Sequence, residues 1–133
     1  MSAKKIIRVR EVMKTEFDVV DGMSSVKDAL ASMKYIDPKC LVVRKRHDDD
    51  EYGLLLVSDI GRHVLAKDRA ADRVNVYEIM AKPVVMVRPD MDIRYCARLF
   101  NEFHLSRAPV IENGEVIGIV SFTDLVLRGM QEQ

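Results

Sequence analysis

The sequence has no excess of either charge and no long apolar run. Its 133 residues contain 21 Lys and Arg against 21 Asp and Glu, so the formal net charge is zero. A nucleic-acid binder usually carries a basic excess, because neutralisation of phosphates dominates its affinity. Charged residues also interrupt each apolar stretch before it reaches the ~18 residues that a membrane span requires. We therefore expect no nucleic-acid partner and no membrane insertion.

Cysteine is scarce, and the chain start is charged. Cys40 and Cys96 lie far apart and form no C-x-x-C motif, which favours reduced, buried thiols. Arg8 and Arg10 leave no room for the apolar core of a signal peptide. Both observations predict a cytoplasmic protein.

Catalytic and metal-binding signatures are also missing. The chain has no G-x-x-x-x-G-K-[ST] phosphate loop, and its spacing suggests no Ser-His-Asp or Cys-His arrangement. The run from His47 to Glu51 lacks the ordered spacing and the glycine of a calcium loop, so a solvated hairpin tip is the favoured interpretation. We expect no enzymatic activity, no metal site and no required cofactor.

The chain contains two copies of one unit. Val9–Met13 (VREVM) reappears 67 residues later as Val76–Met80 (VYEIM). Gly53–Asp59 matches Gly118–Asp124 at a shift of 65 residues, and the difference is absorbed in the segment from His47 to Glu51. Self-similarity at a fixed shift is the signature of a duplicated fold.

Each copy predicts the order β-α-β-β-α. The predicted strands are 17–20, 41–45 and 52–57 in the first copy and 84–87, 109–112 and 116–121 in the second. Apolar residues at helical spacing predict amphipathic helices from Val26 and from Ile93, capped by Ser24 or Ser25 and by Asp90 or Asp92. The final helices are predicted at 59–67 and 124–130. Asn113-Gly114 predicts a tight hairpin turn, because both residues adopt positive φ angles readily.

The predicted domain organisation is a first repeat at 8–67, a linker at 68–75 and a second repeat at 76–130. A unit of this size buries too little surface to be secure alone. We therefore expect a mixed α/β (α+β) fold in which two β-α-β-β-α repeats pack with pseudo-twofold symmetry and form a cleft.

The segment Gly118–Asp124 carries the clearest chemistry. A strand ends in two hydroxyls and a carboxylate where a helix begins. A carboxylate accepts both hydrogen bonds of a ribose diol, and hydroxyls beside free helix amides bind phosphate oxygens. Simple N-capping explains the same residues and is favoured when this segment is taken alone. Both interpretations stay open.

This strand-to-helix segment resembles the motif of cystathionine β-synthase (CBS) domains: glycine, two apolar residues, Ser or Thr, two residues, then Asp. Val76–Met80, Val87–Asp90 and His104–Val110 resemble further CBS motifs in the same order. The resemblance implies a tandem CBS pair, or Bateman module. Such pairs are non-catalytic regulators that bind AMP, ADP, ATP or S-adenosylmethionine in the cleft between repeats, and they commonly form disc-like homodimers.

The resemblance also implies the site residues. Asp124 would hold the ribose hydroxyls, Ser121 and Thr123 would lie near the ribose and phosphate, Arg107 would contact phosphate, and Ile119 would pack on adenine. The complete predicted ligand-binding set is Asp124, Ser121, Thr123, Arg107, Ile119, Ser106, Met13, Glu16 and Phe17. Without the resemblance, Arg107 is equally well explained as a surface charge at a strand edge. Glu16, with Asp18 near it, would disfavour a triphosphate.

The first copy departs from this motif. Leu56 replaces Ser121, and Cys40 replaces Arg107, so a second and weaker site is expected. Its predicted residues are Asp59, Ser58, Leu54, Lys82, Pro83 and Val84, with Lys82 as a substitute positive charge.

These expectations define a regulatory sensor of an adenosine-containing ligand. Because the chain has no room for a further domain, the effector is expected to be a separate protein that takes part in signal transduction. The alternative is a ligand-free dimerising interaction scaffold, in which Ser121–Asp124 is only a helix cap.

Overall fold

The computed structural model of the chain describes residues 5–132. Within this range the α-helices are α1 (Val9–Val12), α2 (Val26–Ser32), α3 (Val57–Ile60), α4 (Ile93–Phe103) and α5 (Phe122–Leu127). The strands are β1 (Asp18–Val20), β2 (Cys40–Val43), β3 (Gly53–Leu56), β4 (Arg107–Glu112) and β5 (Glu115–Ser121). A π-helical turn at Gly61–Leu65 extends α3, and short 3₁₀ helices occupy Ala71–Arg73, Val76–Glu78 and Met130–Glu132.

The chain forms two compact units that exchange their leading segments. One unit runs from Glu16 to Val84, and the other joins the segment ending at Thr15 to the segment beginning at Val85. The duplication predicts repeats at 8–67 and 76–130 with a linker at 68–75. These boundaries refer to the repeated sequence and stay a prediction. Each packed unit begins about eight residues after the start of a repeat. The first residues of each repeat, which include α1 in the first copy and Val76–Glu78 in the second, therefore pack with the rest of the other repeat.

The unit from Glu16 to Val84 contains a three-stranded sheet in the order β1-β2-β3. β1 pairs with β2 in parallel, and β2 pairs with β3 antiparallel. The side chains of β2 are buried along its whole length, as expected for a central strand. Ser25 caps α2, since its hydroxyl accepts the Asp28 amide at 3.0 Å. The predicted linker is packed here: Val74 is buried, and its carbonyl accepts the Val26 amide.

The other unit contains the hairpin β4-β5 with α4 and α5. Its turn has the predicted geometry, because Asn113 (φ 54°) and Gly114 (φ 77°) both lie in the left-handed region. Asp92 caps α4 by accepting the Arg94 amide at 2.9 Å. Phe100 is fully buried in this core and meets the ring of Phe122 edge-on.

The predicted strand at 84–87 does not form, and proline explains the difference. Only Val87 pairs with β4: its amide donates to Pro109 O, and the Ile111 amide donates to Val87 O. A parallel ladder would continue with an N–H of residue 109 donating to residue 85, and proline has no N–H. In the first copy the equivalent position is Val42, which has an amide, and there the strand β1 forms.

The last helix of each copy begins two residues earlier than predicted. Asp59 and Asp124 are third residues of α3 and α5 rather than first residues. The two helix starts use opposite halves of a capping box. The Asp124 amide donates to Ser121 Oγ at 3.0 Å, whereas the Leu56 amide donates to Asp59 Oδ2 at 3.2 Å. The leucine in the first copy therefore leaves only the carboxylate half.

A backbone bridge joins each exchanged segment to its unit. Lys14 and Ile119 exchange both backbone hydrogen bonds, at 2.8 and 2.9 Å, and Ala81 and Leu54 do the same at 2.9 Å. Gly118 lies beside the first of these bridges. A Cβ on Gly118 would lie 2.8 Å from Met13 Sδ and 2.9 Å from the Lys14 carbonyl oxygen. Glycine is required here by close backbone approach rather than by φ.

We predict opposite effects for two Gly→Ala substitutions. Gly118→Ala should lower the free energy of unfolding by about 1–3 kcal/mol, because the new methyl group overpacks against a backbone carbonyl. Gly61→Ala is the matched control: a Cβ there meets nothing within 4 Å, and the backbone is helical. It should be neutral or stabilising by about 0.5–1 kcal/mol. Chemical denaturation measures both, and a Gly118→Ala protein as stable as the parent would contradict the close approach.

Candidate functional site

The β4-β5 hairpin brings several of the predicted ligand-binding residues together. Arg107 pairs directly with Ser121 across the hairpin, and the Ser106 carbonyl accepts the Phe122 amide at 2.8 Å. Ile119 lies on the same strand, two residues before Ser121, and is 1 % exposed. Ser106, Arg107, Ile119 and Ser121 thus lie at the end of the hairpin from which α5 begins. Thr123 lies on the first turn of α5 and is exposed.

Asp124 is a buried carboxylate in an ion pair. Its residue is 7 % exposed, and Lys14 Nζ donates to its Oδ2 at 2.8 Å. Lys14 is held in place by its backbone bridge to Ile119. This lysine is missing from the site predicted from sequence. The available signal is that Lys14 follows the repeated methionine Met13, while the second copy has the uncharged Ala81 at that position.

Arg128 is a second cation that sequence analysis missed. It lies one helical turn after Asp124, so both side chains are on one side of the chain segment. Its Nη1 donates to the Met13 carbonyl at 3.4 Å. Met13, which is in the predicted site, therefore contacts Arg128 and packs at Gly118. Lys14 thus contacts Asp124 directly, Arg128 contacts the Met13 carbonyl, and Arg107 is placed by its register with Ser121.

The remaining predicted residues of the first site lie in the unit from Glu16 to Val84. Glu16 is exposed and Phe17 is half-buried in that unit. Their part in the ligand site around Asp124 stays a prediction.

Several polar residues of the predicted second site are bonded to other side chains of the protein. Arg62 donates to Asp59 Oδ1 at 3.0 Å and to Ser58 Oγ at 3.3 Å. Leu54 is buried at the Ala81 bridge, and the buried Cys40 pairs with Leu56. Pro83 is exposed and Val84 is half-buried in the same unit. Lys82, expected to supply a positive charge, donates instead to Asp50 Oδ2 at 2.8 Å.

Asp50 shows that the loop from His47 to Glu51 is more than a solvated tip. Its side chain is 7 % exposed and accepts hydrogen bonds from Arg46 and from Lys82. The Arg46 guanidinium and the Lys82 ammonium hold the pKa of the Asp50 carboxyl well below its usual range. The predicted solvated tip is therefore wrong for this residue. The reason is that Lys82 lies 32 residues away, where no local pattern reveals it.

Neither cysteine has the character of a nucleophile. Both side chains are buried thiols, and burial raises the pKa of the Cys96 thiol to about 11. Within residues 5–132 the structure shows no cluster of three His, Cys, Asp or Glu side chains arranged for a metal ion. In the same range no helix has the length and apolar character needed to cross a membrane.

The depressed pKa of Asp50 predicts a pH-dependent contribution to stability. Its folded-state pKa lies below the unfolded value of about 3.9, so the contribution is complete above pH ~4 and is lost as pH falls through the folded pKa. Asp50→Asn should lower Tm at pH 7, and the difference from the parent should shrink below pH ~4. Thermal melts between pH 2.5 and pH 7 measure this. A Tm difference that does not vary with pH would contradict the ion-pair origin.

Comparison with protein families and solved structures gives consistent matches. The CBS domain model matches residues 76–130. The crystal structure of a hexameric CBS-CP12 protein from bloom-forming cyanobacteria superposes with a TM-score of 0.88 at 35 % identity, covering 94 % of this chain and 69 % of that one. A CBS domain pair in complex with 5′-methylthioadenosine and S-adenosyl-L-methionine superposes with a TM-score of 0.80 at 19 % identity, covering 97 % and 100 % of the two chains.

Among curated proteins, the chain is 32 % identical over 121 residues to a homoserine O-acetyltransferase of Methanosalsum zhilinae, which is 90 % of this chain. The match covers only 23 % of the length of that protein. A protein of Methanopyrus kandleri is 29 % identical over 86 residues, and this match covers 44 % of its length. The chain thus spans less than half the length of these curated relatives.

Proposed function

This chain belongs to the CBS-domain family as a tandem CBS pair, and from that premise we propose that it is a non-catalytic sensor of an adenosine-containing ligand. The ligand binds at Asp124. The single observation that supports this most strongly is a buried carboxylate that is ion-paired to a lysine side chain from the exchanged N-terminal segment.

Asp124 suits a ribose diol. An ionised carboxylate is an acceptor with two oxygens, and it takes both O–H donors of a vicinal diol. The Lys14 ammonium holds the carboxylate in one position before any ligand arrives. Its side chain is 29 % exposed, so it can turn from the carboxylate towards solvent or towards a ligand phosphate.

The charges around Asp124 favour an anionic ligand. Lys14 is paired with Asp124, Arg128 lies one helical turn after it, and the register places Arg107 beside Ser121 at the hairpin end. A phosphate would accept charge-assisted hydrogen bonds from these cations, whereas a neutral nucleoside has no charged group to do so. We therefore favour AMP or ADP over ligands that lack a phosphate. The CBS pair in complex with 5′-methylthioadenosine is only 19 % identical to this chain, so its similarity supports the fold and does not indicate the ligand.

The site around Asp59 is the weaker one. Its carboxylate is already bonded to Arg62 and to the Leu56 amide, and Lys82 is engaged by Asp50. Cys40 and Leu56 stand where the other copy has Arg107 and Ser121, so the phosphate-binding groups are missing. We therefore expect the ligand to occupy the site around Asp124 and to leave the site around Asp59 empty.

Binding at Asp124 would act on the segment that carries Lys14. A ligand shifts a conformational equilibrium only by its differential affinity for the two states. Here the differential contact is the Lys14–Asp124 ion pair, which the ribose hydroxyls would replace. Lys14 lies two residues before the chain passes into the other unit, so a change at this pair is transmitted along the backbone. A homodimer and a separate effector protein complete the proposal.

A ligand-free scaffold is the second candidate, and the capping geometry favours it. Ser121 accepts the Asp124 amide and Lys14 neutralises the carboxylate, so the segment is satisfied without a ligand. Val126, Leu127 and Met130 are each at least 45 % exposed at the end of the chain and offer an apolar surface for association.

Binding of AMP should depend on Asp124 far more than on Asp59. At a hundredfold excess over Kd, AMP should stabilise the parent protein by about 2.7 kcal/mol, seen as a rise in Tm. Asp124→Ala should abolish that rise, and the matched variant Asp59→Ala should keep most of it. Calorimetric titration with AMP, ADP, ATP, S-adenosylmethionine and adenosine gives the order of affinity, which should place the phosphorylated ligands AMP and ADP above adenosine.

Two results would count against the sensor. If no adenosyl ligand raises Tm in the parent protein, the scaffold is the correct function. If AMP raises Tm equally in the parent and in Asp124→Ala, the ligand binds elsewhere. Sedimentation with and without AMP tests the dimer independently.

A further inference from the structure

The unit from Glu16 to Val84 contains a cavity of about 630 Å³ whose lining includes neither Asp59 nor Asp124, although Lys82, predicted for the Asp59 site, contributes to it. It lies where β1 and β2 end, between the turn at Asp21 and the residues Arg44 and Arg46 that follow β2. Asp59 and Leu56 belong to the opposite end of the same sheet, since Leu56 pairs with Cys40, the first residue of β2. We propose that this cavity, the basic groove, binds a small phosphorylated molecule with a planar apolar group.

The basic groove has an excess of positive charge. Its lining includes Arg44, Arg46 and Lys82, against the single carboxylate of Asp21. Asp50 binds Arg46 and Lys82 from one side and neutralises one of them. The Arg44 side chain has no ion-pair partner among residues 5–132. One net positive charge therefore remains after both carboxylates are counted.

The cationic groups are positioned before any ligand binds. Asp50 Oδ2 accepts from both Arg46 Nε at 3.0 Å and Lys82 Nζ at 2.8 Å, so one carboxylate fixes two cations together. The Arg44 amide donates to Val20 O at 2.9 Å and continues the β1-β2 ladder. The Asp21 carboxylate accepts the Met23 amide at 2.8 Å, which orders the turn on the other side. Preorganised donors lose little entropy when an anion binds.

The rest of the lining is apolar and includes one aromatic ring. Tyr77 is 49 % exposed, while its amide is tied to Gly22 O at 2.9 Å. Met80 and Val43 contribute apolar surface next to it. A half-exposed tyrosine on a fixed backbone is a stacking surface for a planar group. The cavity volume lies in the range typical of small-molecule sites.

The fold alone does not impose this chemistry. At the 67-residue shift of the duplication, Arg44 corresponds to Ile111, and Tyr77 corresponds to Arg10. The equivalent hollow in the other unit, about 410 Å³, is lined by Arg88, Asp90 and Glu112, and Arg10 is ion-paired to Glu112. Positive and negative charges cancel there and no aromatic ring is present in its lining. The chemistry of the basic groove is thus specific to the unit from Glu16 to Val84.

The experiment is an amide NMR titration of the Asp59→Ala, Asp124→Ala double variant with phenyl phosphate, inorganic phosphate and phenol. Removal of both carboxylates separates this inference from the proposed function. Phenyl phosphate should shift the amides of Gly22, Met23, Arg44 and Tyr77 together. Its apparent affinity should exceed that of phosphate or of phenol, because each of these carries only one half of the recognised chemistry.

Two further variants localise the binding in the same background. Arg44→Glu should weaken phenyl phosphate by about tenfold or more, since an attractive charge becomes repulsive. Lys45→Glu is the matched control, one residue along the chain and outside the lining, and should change the affinity little. Tyr77→Ala should reduce phenyl phosphate to the affinity of inorganic phosphate. Absence of shifts at the basic groove, or equal affinity in Arg44→Glu and Lys45→Glu, would overturn the proposal.

Discussion

The structure depends on the backbone bridges that hold each exchanged segment in its unit. Lys14 with Ile119, and Ala81 with Leu54, exchange both of their backbone hydrogen bonds, and the glycine next to each bridge leaves room for a methionine sulfur. The first bridge holds Lys14 where its side chain lies 2.8 Å from Asp124, and this ion pair offsets the cost of burying the carboxylate. A packing requirement at a glycine thus sets the electrostatics of the candidate site.

Local features of the fold were predictable from sequence. The amphipathic helices, the caps at Ser25 and Asp92, and the turn at Asn113-Gly114 depend on neighbours a few residues away. The prediction of a strand at 84–87 was wrong. The strand does not form because Pro109, which lies in a different segment, has no N–H to donate to it. The helix starts were wrong by two residues, since apolar periodicity does not specify which polar residue serves as the cap.

The candidate site was predictable only in part, for the same reason. The duplication placed Ser121 and Asp124 at a strand-to-helix junction, and the hairpin register then put Arg107 beside them. Lys14 and Arg128 were missed, because their contacts join residues more than 100 positions apart. Likewise, the partner of Lys82 is Asp50 in an acidic loop that looked like a solvated tip. Long-range charge pairs leave no periodic signal, and they are what distinguishes the two copies chemically.

The duplicated scaffold therefore carries two different distributions of charge. One unit pairs Lys14 with Asp124, and the unit from Glu16 to Val84 places Arg44, Arg46 and Lys82 in the basic groove. The central claim is that the Asp124 carboxylate receives ribose hydroxyls in place of Lys14. A crystal structure of the chain with AMP tests it most directly. The account predicts density with both ribose oxygens within hydrogen-bond distance of Asp124 and the phosphate beside Arg107. Density absent from this site, with Lys14 still paired to Asp124, would contradict it.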